Sequence, residues 1–435
     1  MQDCLGLDFG TTNSVITRPF ADGSATPISY TRGGPTYENF RSALSYENRG
    51  GRMHSEGGPF AIARYLELME ESRFIQSFKT FAASKLFQGT FIGGRPVGFE
   101  QLMSDLIGHM LAAGVGLEHP LPKRVVVGRP VEFAGASVDE ALAMQRYSDG
   151  LAALGFEEVL FVYEPVAAAF FYAQQLQSDA LVLVADFGGG TSDFSLMHFS
   201  GAGGELRATP VAQGGVGIGG DTFDYRLVEN VVLPRLGKGG TYKNMGKELP
   251  LPSGYFSQFA KWNLLSVFRS SDMFKDIKRT IRYATEPEKL EMLVELVEEE
   301  QGYPLYLAVS DVKAALSQQE EADFCFNPLG MELSAKITRA EFEHWIAPDI
   351  ARIEQAMDDT LLRGGVARKD VDVVFLTGGS SRIPAIKQAF AGYFGAERVA
   401  SGDELVSIAN GLAIIGARED AGKFAVDAQR MRQSV

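Results

Sequence analysis

The residues best placed to do chemistry form a motif that occurs twice. Asp8-Phe9-Gly10-Thr11-Thr12 lies at the end of the apolar run 4–9, and Asp186-Phe187-Gly188-Gly189-Gly190-Thr191 at the end of 180–187. In each, an apolar strand delivers an aspartate into a Gly/Thr turn and a second strand returns. Such a turn aims backbone N–H groups and hydroxyls at one point, and phosphate oxygens are the natural ligand of that concavity. Glycine lets the backbone approach, while Thr11, Thr12 and Thr191 add side-chain donors. Two bare carboxylates, Asp8 and Asp186, would repel a triphosphate unless a cation lay between them, so Mg²⁺ is implied, held largely through water. One copy would be no more than an ordinary Asp/Gly turn. Two copies in matching context form a clamp that closes on a polyphosphate from both sides, which points to ATP.

Other phosphate and ligand chemistries are excluded or demoted. No Gly-x-x-x-x-Gly-Lys-Ser/Thr occurs, so this is not a P-loop protein. The run Gly215-Val216-Gly217-Ile218-Gly219-Gly220 fits G-x-G-x-x-G, but it follows an antiparallel hairpin instead of opening a βαβ unit. It reads as a turn closing on the ligand through Gly219 and Gly220, with Asp221 and Asp224 capping the next helix. A net charge of −14 argues against broad nucleic-acid or anionic-membrane binding. Only Cys4 and Cys325 are present, so a disulfide framework is not expected and a reducing compartment fits. The five histidines show no metal-ligand spacing. The N-terminus lacks the features of a signal peptide. The longest apolar stretches, 166–173 and 180–185, fall short of the ~20 residues of a spanning helix. A cytoplasmic protein is expected.

The elements that must position these residues follow from pattern. Residues 1–20 read as a hairpin, 21–60 as loops and short strands, and 61–87 as a helix carrying Lys79. Then come a helix at 100–114, a strand at 124–128, a helix at 139–154, a strand at 159–163 and a small-residue helix at 164–176. The second half repeats the order: hairpin 180–200, strand 205–213, helix 221–236, strand 372–376, and helices 383–394 and 404–417. A long helical insertion, roughly 255–322, carries Tyr255, Phe256, Phe259, Trp262, Phe268 and Phe274, which either pack its own core or form a partner surface. Alternating strands and helices predict an α/β fold made of two duplicated lobes around a cleft. Lobe I is expected at 1–177, with a peripheral subdomain at about 21–100. Lobe II is expected at 178–417, with a peripheral helical insertion at about 221–325, and a frayed tail at 418–435.

Four motifs taken together resemble a known family. Asp8-Phe9-Gly10-Thr11-Thr12-Asn13-Ser14, Glu164-Pro165-Val166-Ala167-Ala168-Ala169, Asp186 to Asp193 and Gly378-Gly379-Ser380-Ser381-Arg382-Ile383-Pro384 are similar to the ATPase domain of the seventy-kilodalton heat-shock chaperones of DnaK type. That family belongs to the actin, hexokinase and heat-shock ATPase superfamily, with ribonuclease-H-like lobes. The resemblance implies ATP/ADP and Mg²⁺ as ligands and slow ATP hydrolysis. It implies that Gly10, Thr11, Thr12, Asn13, Gly188, Gly189 and Gly190 hold phosphates, that Asp8 and Asp186 orient the Mg²⁺ shell, that Glu164 positions the attacking water and that Thr191 bonds the phosphate. Lys79, with Lys85 as a rival, looks like the family's essential lysine, which neutralises charge on the transferring phosphoryl group. Gly378, Gly379, Ser380 and Arg382 match the adenosine turn, where an arginine can stack on the base. Lys313 and Ser317, at i and i+4 on one helix face, match the helix that closes over the adenosine.

The chain also departs from the family. Ser310 and Ala314 replace the usual acidic residue and arginine flanking Lys313, which suggests an altered grip on nucleotide. The sequence runs only to 435, without the leucine-rich linker and peptide-holding sandwich, and so resembles the stand-alone YegD-like members. The expectation is a chaperone-like nucleotide switch with a protein partner or client. Three alternatives stay open: an actin-like filament former, a small-molecule kinase using Asp193 toward a substrate hydroxyl, and a non-hydrolysing nucleotide sensor.

Overall fold

The computed structural model describes residues 2–68, 72–117, 120–133, 138–173, 176, 178–200, 207–260, 265–330, 332–402 and 406–426. Trp262, Glu404, Gln175 and the tail from 427 on lie outside the described residues. The chain begins with β1 (Cys4–Phe9), β2 (Asn13–Pro19), β3 (Ala25–Pro27), β4 (Phe40–Arg41), β5 (Ala43–Arg49) and β6 (Arg52–Gly57). Next come α1 (Gly58–Leu68), β7 (Ser72–Gln76), β8 (Thr90–Ile92), β9 (Arg95–Val97) and α2 (Phe99–Ala113). Then follow β10 (Arg124–Arg129), α3 (Glu140–Ala152), β11 (Glu158–Tyr163) and α4 (Glu164–Ala173). The second hairpin is β12 (Ala180–Phe187) and β13 (Ser192–Ser200), continued by β14 (Arg207–Val216) and α5 (Gly220–Leu227). The insertion holds β15 (Thr241–Asn244), β16 (Lys247–Pro250), α6 (Ser253–Phe259), α7 (Leu265–Arg269), α8 (Asp272–Thr280), α9 (Pro287–Glu298) and α10 (Gly302–Leu316). The chain continues through β17 (Glu321–Phe326), β18 (Leu333–Thr338), α11 (Arg339–Arg363), β19 (Val373–Thr377), α12 (Pro384–Phe394), β20 (Val399–Ser401) and α13 (Ser407–Gly416).

Two compact units result: the chain up to Gly220 together with the part from Ala351 on, and Asp221–Ile350. Both large sheets belong to the first unit. One has the order β11-β10-β1-β2-β3, with β4 also on β2, and the other has the order β14-β13-β12-β19-β20. Each is centred on the strand that carries a site aspartate. From β1 and from β12, antiparallel strands run to one side and parallel strands to the other. The α/β duplication expected from the sequence is therefore present as one strand plan used twice.

Strand alternation divides the faces. Leu5, Leu7 and Phe9 enter a core with Leu102, Leu106 and Tyr147 of α2 and α3. The opposite face of the first sheet packs on α13, and the second sheet packs on α4. These two helices lie against each other between the sheets, sharing a core with Val126, Val162, Val182 and Val184. The crossing is close because the residues are small. A Cβ on Gly411 would fall 1.8 Å from the Ala167 carbonyl oxygen, and one on Gly6 would fall 2.5 Å from the Ala409 carbonyl oxygen. Hydrophobic burial drives the assembly, at about 1.5–3 kcal/mol per fully buried Leu, Val or Phe.

Several elements differ from expectation. The stretch 61–87 is not one helix: α1 ends at Leu68, β7 pairs with β5, and Lys79 sits on a 3-10 turn, Phe78–Phe81. Ser77, with φ of 51°, reverses the chain between strand and turn and breaks any helical continuity. The helix expected over 221–236 is α-helical only to Leu227, then widens into a π turn and tightens into a 3-10 turn at Pro234.

The β15–β16 and β17–β18 hairpins of the second unit, and the 25-residue α11, go beyond the sequence expectation. This unit runs past 325 to Ile350. Tyr255, Phe256, Phe259, Phe268 and Phe274 are all buried, so these aromatics pack the insertion's own core. No described helix is long and apolar enough to cross a membrane.

Candidate active site

The first turn is built from backbone outward. Asp8 ends β1, half-buried, and Gly10, Thr11, Thr12 and Asn13 follow, all half-buried. A Cβ on Gly10 would lie 2.1 Å from the Asn13 carbonyl oxygen, so only glycine closes this turn. Ser42 braces it from β4's side: its hydroxyl donates to the Gly10 carbonyl at 2.7 Å and its amide to the Thr12 carbonyl at 2.9 Å. Arg41 donates to the Asn13 side-chain oxygen at 3.4 Å.

The second turn uses the same device. The Gly188 amide donates to the Thr191 carbonyl at 2.9 Å, and the Gly220 amide to the Gly188 carbonyl at 2.9 Å. A Cβ on Gly219 would lie 2.6 Å from the carbonyl oxygens of Gly188 and Gly189, so the Gly219–Gly220 segment backs this turn. The two turns adjoin: a Cβ on Gly190 would lie 3.6 Å from the Thr11 hydroxyl and 4.0 Å from the Thr80 methyl. Gly378, at φ +80°, abuts Asp186 and the Phe187 carbonyl, where a Cβ would clash at 2.8 and 2.4 Å. The adenosine-turn residues thus begin directly beside the second aspartate. Ser380 is buried there, while Gly379 and Arg382 are exposed.

An ion pair lies beside the aspartates. Lys79 Nζ donates to Glu164 Oε1 at 2.7 Å, with side chains only 10% and 7% exposed. Lys85, the rival, is exposed and pairs with Asp139 at 3.1 Å. Burial alone would pull the Lys79 ammonium down. Glu164, Tyr147 and Asp8 more than offset this and hold it above its ordinary value. Burial, then Glu164, pushes Asp8 up to about 7. Burial and the charges of Glu164, Asp193 and Asp8 push Asp186 well above the usual carboxylate range. Tyr147 is fully buried against this group, and its hydroxyl has no hydrogen-bond partner among the described residues.

Asp193 completes the second hairpin. It is 1% exposed and faces Asp186 across the β12–β13 ladder. Its Oδ2 accepts from the Thr191 hydroxyl at 2.7 Å, and its Oδ1 accepts from the amides of Val131 and Glu132 at 3.0 and 3.3 Å. Gly215, opposite on β14, makes room for it, because a Cβ there would lie 2.7 Å from Oδ1. Burial pushes Asp193 up to about 7, with Glu164 adding and its hydrogen-bond donors opposing.

Asp8, Glu164 and Asp186 set three carboxyls around one ammonium, with Asp193 interacting with Glu164 and Asp186, and that excess of negative charge suits a hard cation with oxygen ligands. Among the described residues no three acidic, His or Cys side chains converge to hold a metal by themselves. The fit is therefore to Mg²⁺, which keeps several of its own waters.

Lys313 and Ser317 lie at the end of α10 in the second unit. There Lys313 pairs with buried Asp224 at 2.7 Å, so Asp224 holds this lysine from inside α5 and is not a helix cap. Sequence reasoning missed Ser42, Tyr147 and the amides of Val131 and Glu132.

The family model described as Hsp70 protein matches residues 144–236 and 279–426, more than half of the chain. This chain belongs to the Hsp70 family. Its duplicated α/β lobes are those of the Hsp70 and actin-like ATPase fold. Similar proteins include the chaperone protein dnaK of Cyanidioschyzon merolae, 23% identical over 94% of this chain and 61% of the relative. The chaperone protein DnaK of Thermus thermophilus is 24% identical over 94% of this chain and 60% of the relative. That of Deinococcus deserti is 24% identical over 89% and 55%. The chain thus spans about 60% of the length of the first of these relatives. In this Hsp70 chain the residues between the two matched segments, 237–278, hold β15–β16, α6, α7 and most of α8.

Proposed function

We propose that this Hsp70-family chain binds ATP with Mg²⁺ and hydrolyses it slowly to ADP and phosphate, as a switch whose nucleotide state is read by a protein partner or client. The observation that carries this reading is the buried Lys79–Glu164 pair, set beside Asp8 and Asp186 at the tips of two adjoining Gly/Thr turns. Phosphoryl transfer to water needs positioning, charge neutralisation and a water orienter, and little covalent chemistry from the protein.

In this reading the amides of residues 10–13 and 188–190 and the hydroxyls of Thr11 and Thr12 bind phosphate oxygens. Lys79 neutralises charge on the transferring group. Glu164, whose Oε1 is taken by Lys79, accepts from the attacking water at Oε2. Asp8 and Asp186 would hold Mg²⁺ through its waters. When bound, the ion supplies charge neutralisation on the phosphates. Thr191 acquires a sharper role than sequence suggested. Its hydroxyl hydrogen goes to Asp193, so its oxygen faces the site as an acceptor suited to the water, not as a phosphate donor. Gly378, Gly379, Ser380 and Arg382 would take the adenosine; for Lys313 and Ser317 that proposal rests on the family motif alone.

We assign lobes to 1–177 and 178–417, with α4 and α13 as the hinge elements. Their backbone-close crossing at Gly411 supports this assignment. The kinase alternative is the less favoured reading, because Asp193 is already held by three protein donors, two amides on Oδ1 and the Thr191 hydroxyl on Oδ2.

The test is calorimetric titration with ATP and ADP, with and without Mg²⁺, followed by single-turnover hydrolysis. Mg²⁺-dependent binding is expected, with hydrolysis reduced in both Asp186→Asn and Thr191→Ala. Wild-type rates in both variants would overturn the site assignment, and absence of binding would overturn the function.

A further inference from the structure

Among the described residues Arg129, at the end of β10, is the largest fully buried side chain, at 0% exposure. A guanidinium stays charged at any pH a protein survives, and burying it is strongly unfavourable unless its donors are met. Arg129 pairs with Glu140 at 3.3 Å, a side chain 38% exposed to water and hence a weak counter-ion. Four further contacts are to neutral groups. Nε donates to the Pro130 carbonyl at 2.8 Å, Nη2 donates to the Val131 carbonyl at 3.1 Å, and the rings of Phe133 and Tyr163 cover the guanidinium at 4.8 and 4.9 Å.

Those two carbonyls belong to special peptide groups. In a trans peptide the C=O and N–H are antiparallel within one plane. The Pro130–Val131 plane gives its oxygen to Arg129 and its N–H to Asp193 Oδ1; the Val131–Glu132 plane does the same. Two successive peptide dipoles thus lie between a buried positive and a buried negative group. In a low-dielectric setting such hydrogen bonds strengthen one another. Asp193 in turn accepts the Thr191 hydroxyl. The line Arg129, two peptides, Asp193, Thr191 starts on the first large sheet and ends in the site turn of the second.

We infer that Arg129 is a positioning residue: through the Pro130–Glu132 backbone it fixes Asp193, and through Asp193 it fixes the hydroxyl orientation of Thr191. It touches no reacting atom. The catalytic consequence rests on the ATPase reading above; the structural consequence does not.

The experiment separates the two. Amide hydrogen exchange is followed in the nucleotide-free full chain for wild type, Arg129→Met and Arg129→Lys, alongside ATP affinity and single-turnover hydrolysis. Exchange at the Val131 and Glu132 amides and across 188–193 should speed up roughly tenfold in Arg129→Met, while other strands keep wild-type protection. Hydrolysis should fall roughly tenfold with ATP affinity changed by less than about threefold, a split that a general packing defect would not produce. Arg129→Lys keeps the charge but lacks the planar fork, so intermediate exchange and partial recovery of hydrolysis are expected.

Unchanged exchange at Val131 and Glu132 would overturn the inference, whatever happened to hydrolysis, and would leave Arg129 as a core filler. If wild type hydrolyses no ATP, the function fails while the exchange result still decides the role of Arg129. Should Arg129→Met not fold, Arg129→Lys alone decides it: raised exchange at the two amides supports the relay, and wild-type exchange sinks it.

Discussion

The two site hairpins share a strand plan but not a polar content. Aligned on their aspartates, β1–β2 sets Asp8 opposite Val15, whereas β12–β13 sets Asp186 opposite Asp193. Val15 is a buried apolar residue; Asp193 is a buried carboxyl with three hydrogen-bond donors. The first half instead supplies Lys79 and Glu164, from the turn after β7 and the start of α4. The second half has no ion pair in the matching place among the described residues. A duplicated scaffold has thus divided the work, with charge neutralisation on one side and hydroxyl orientation on the other.

The largest effect should come from the first half's share. Lys79→Met removes the ammonium and leaves Glu164, Asp8 and Asp186 as buried carboxyls without their cation. Breaking one partner of a buried pair is far more disruptive than omitting both. Hydrolysis in a single-turnover assay should fall about a thousandfold, with the fold retained by circular dichroism. A fall of only a few-fold would move the essential cation elsewhere and undo the division of labour.

Swapping scaffold residues between halves tests how far the duplication goes. Gly6 in β1 aligns with Val184 in β12, and the difference has a cause. At Gly6, α13 lies so near that a Cβ would also sit 2.6 Å from the Ala413 amide nitrogen. Val184 instead fills a core with the alanines of α4. Gly6→Val should destabilise by about 3 kcal/mol, since backbone rather than a movable side chain blocks the added atoms. Urea unfolding measures it, and an unchanged midpoint would mean that α13 can shift freely on the first sheet.

Asp193→Val places the first hairpin's residue in the second. The amides of Val131 and Glu132 lose their acceptor and Thr191 loses its orienting partner. Hydrolysis should fall about a hundredfold, less than for Lys79→Met because the phosphate-binding amides and the ion pair remain. ATP binding should be nearly unchanged. If hydrolysis survives, Asp193 serves the fold alone and the two hairpins are more alike in function than in sequence.

The doubled Asp–Gly–Thr turns were legible because strand alternation and glycine turns act over a few residues. The α/β order and the family resemblance followed from them. What escaped depended on longer range. Ser77 at positive φ gives no signal against a helix over 61–87. In α11, Pro348 within the helix hides the 3.6-residue pattern. The hairpin β17–β18 alternates strictly, with Ala322, Phe324 and Phe326 buried between exposed residues, but it lay beside a strongly helical stretch that drew the reading. The hydrogen-bonded setting of Asp193 did not show in the sequence because its two amide donors are some sixty residues away in the chain. Arg129 gave no signal at all, since composition does not reveal which arginine is buried.

The smallest effect should come from the exchange Cys4→Val, which gives β1 the residue that β12 has at the aligned position, Val182. Cys4 is fully buried; its thiol contacts the Ala413 carbonyl at 3.7 Å and lies beneath Gly416. The volumes are close, so at neutral pH the change should stay within about 1 kcal/mol. Alkaline pH should separate the two proteins. Burial pushes the Cys4 thiol from 9.0 up to about 12, with Arg124 opposing. The unfolded chain therefore releases this proton above about pH 9 while the folded chain keeps it to about pH 12. The folded state binds more protons in that window, so its stability falls as pH rises through it. Cys4→Val has no such proton, and its urea midpoint should drop less than that of wild type between pH 8 and pH 10. Parallel midpoints would mean that the thiol ionises as readily in the fold as out of it, and that the first strand is less tightly sealed under α13 than Gly6 implies.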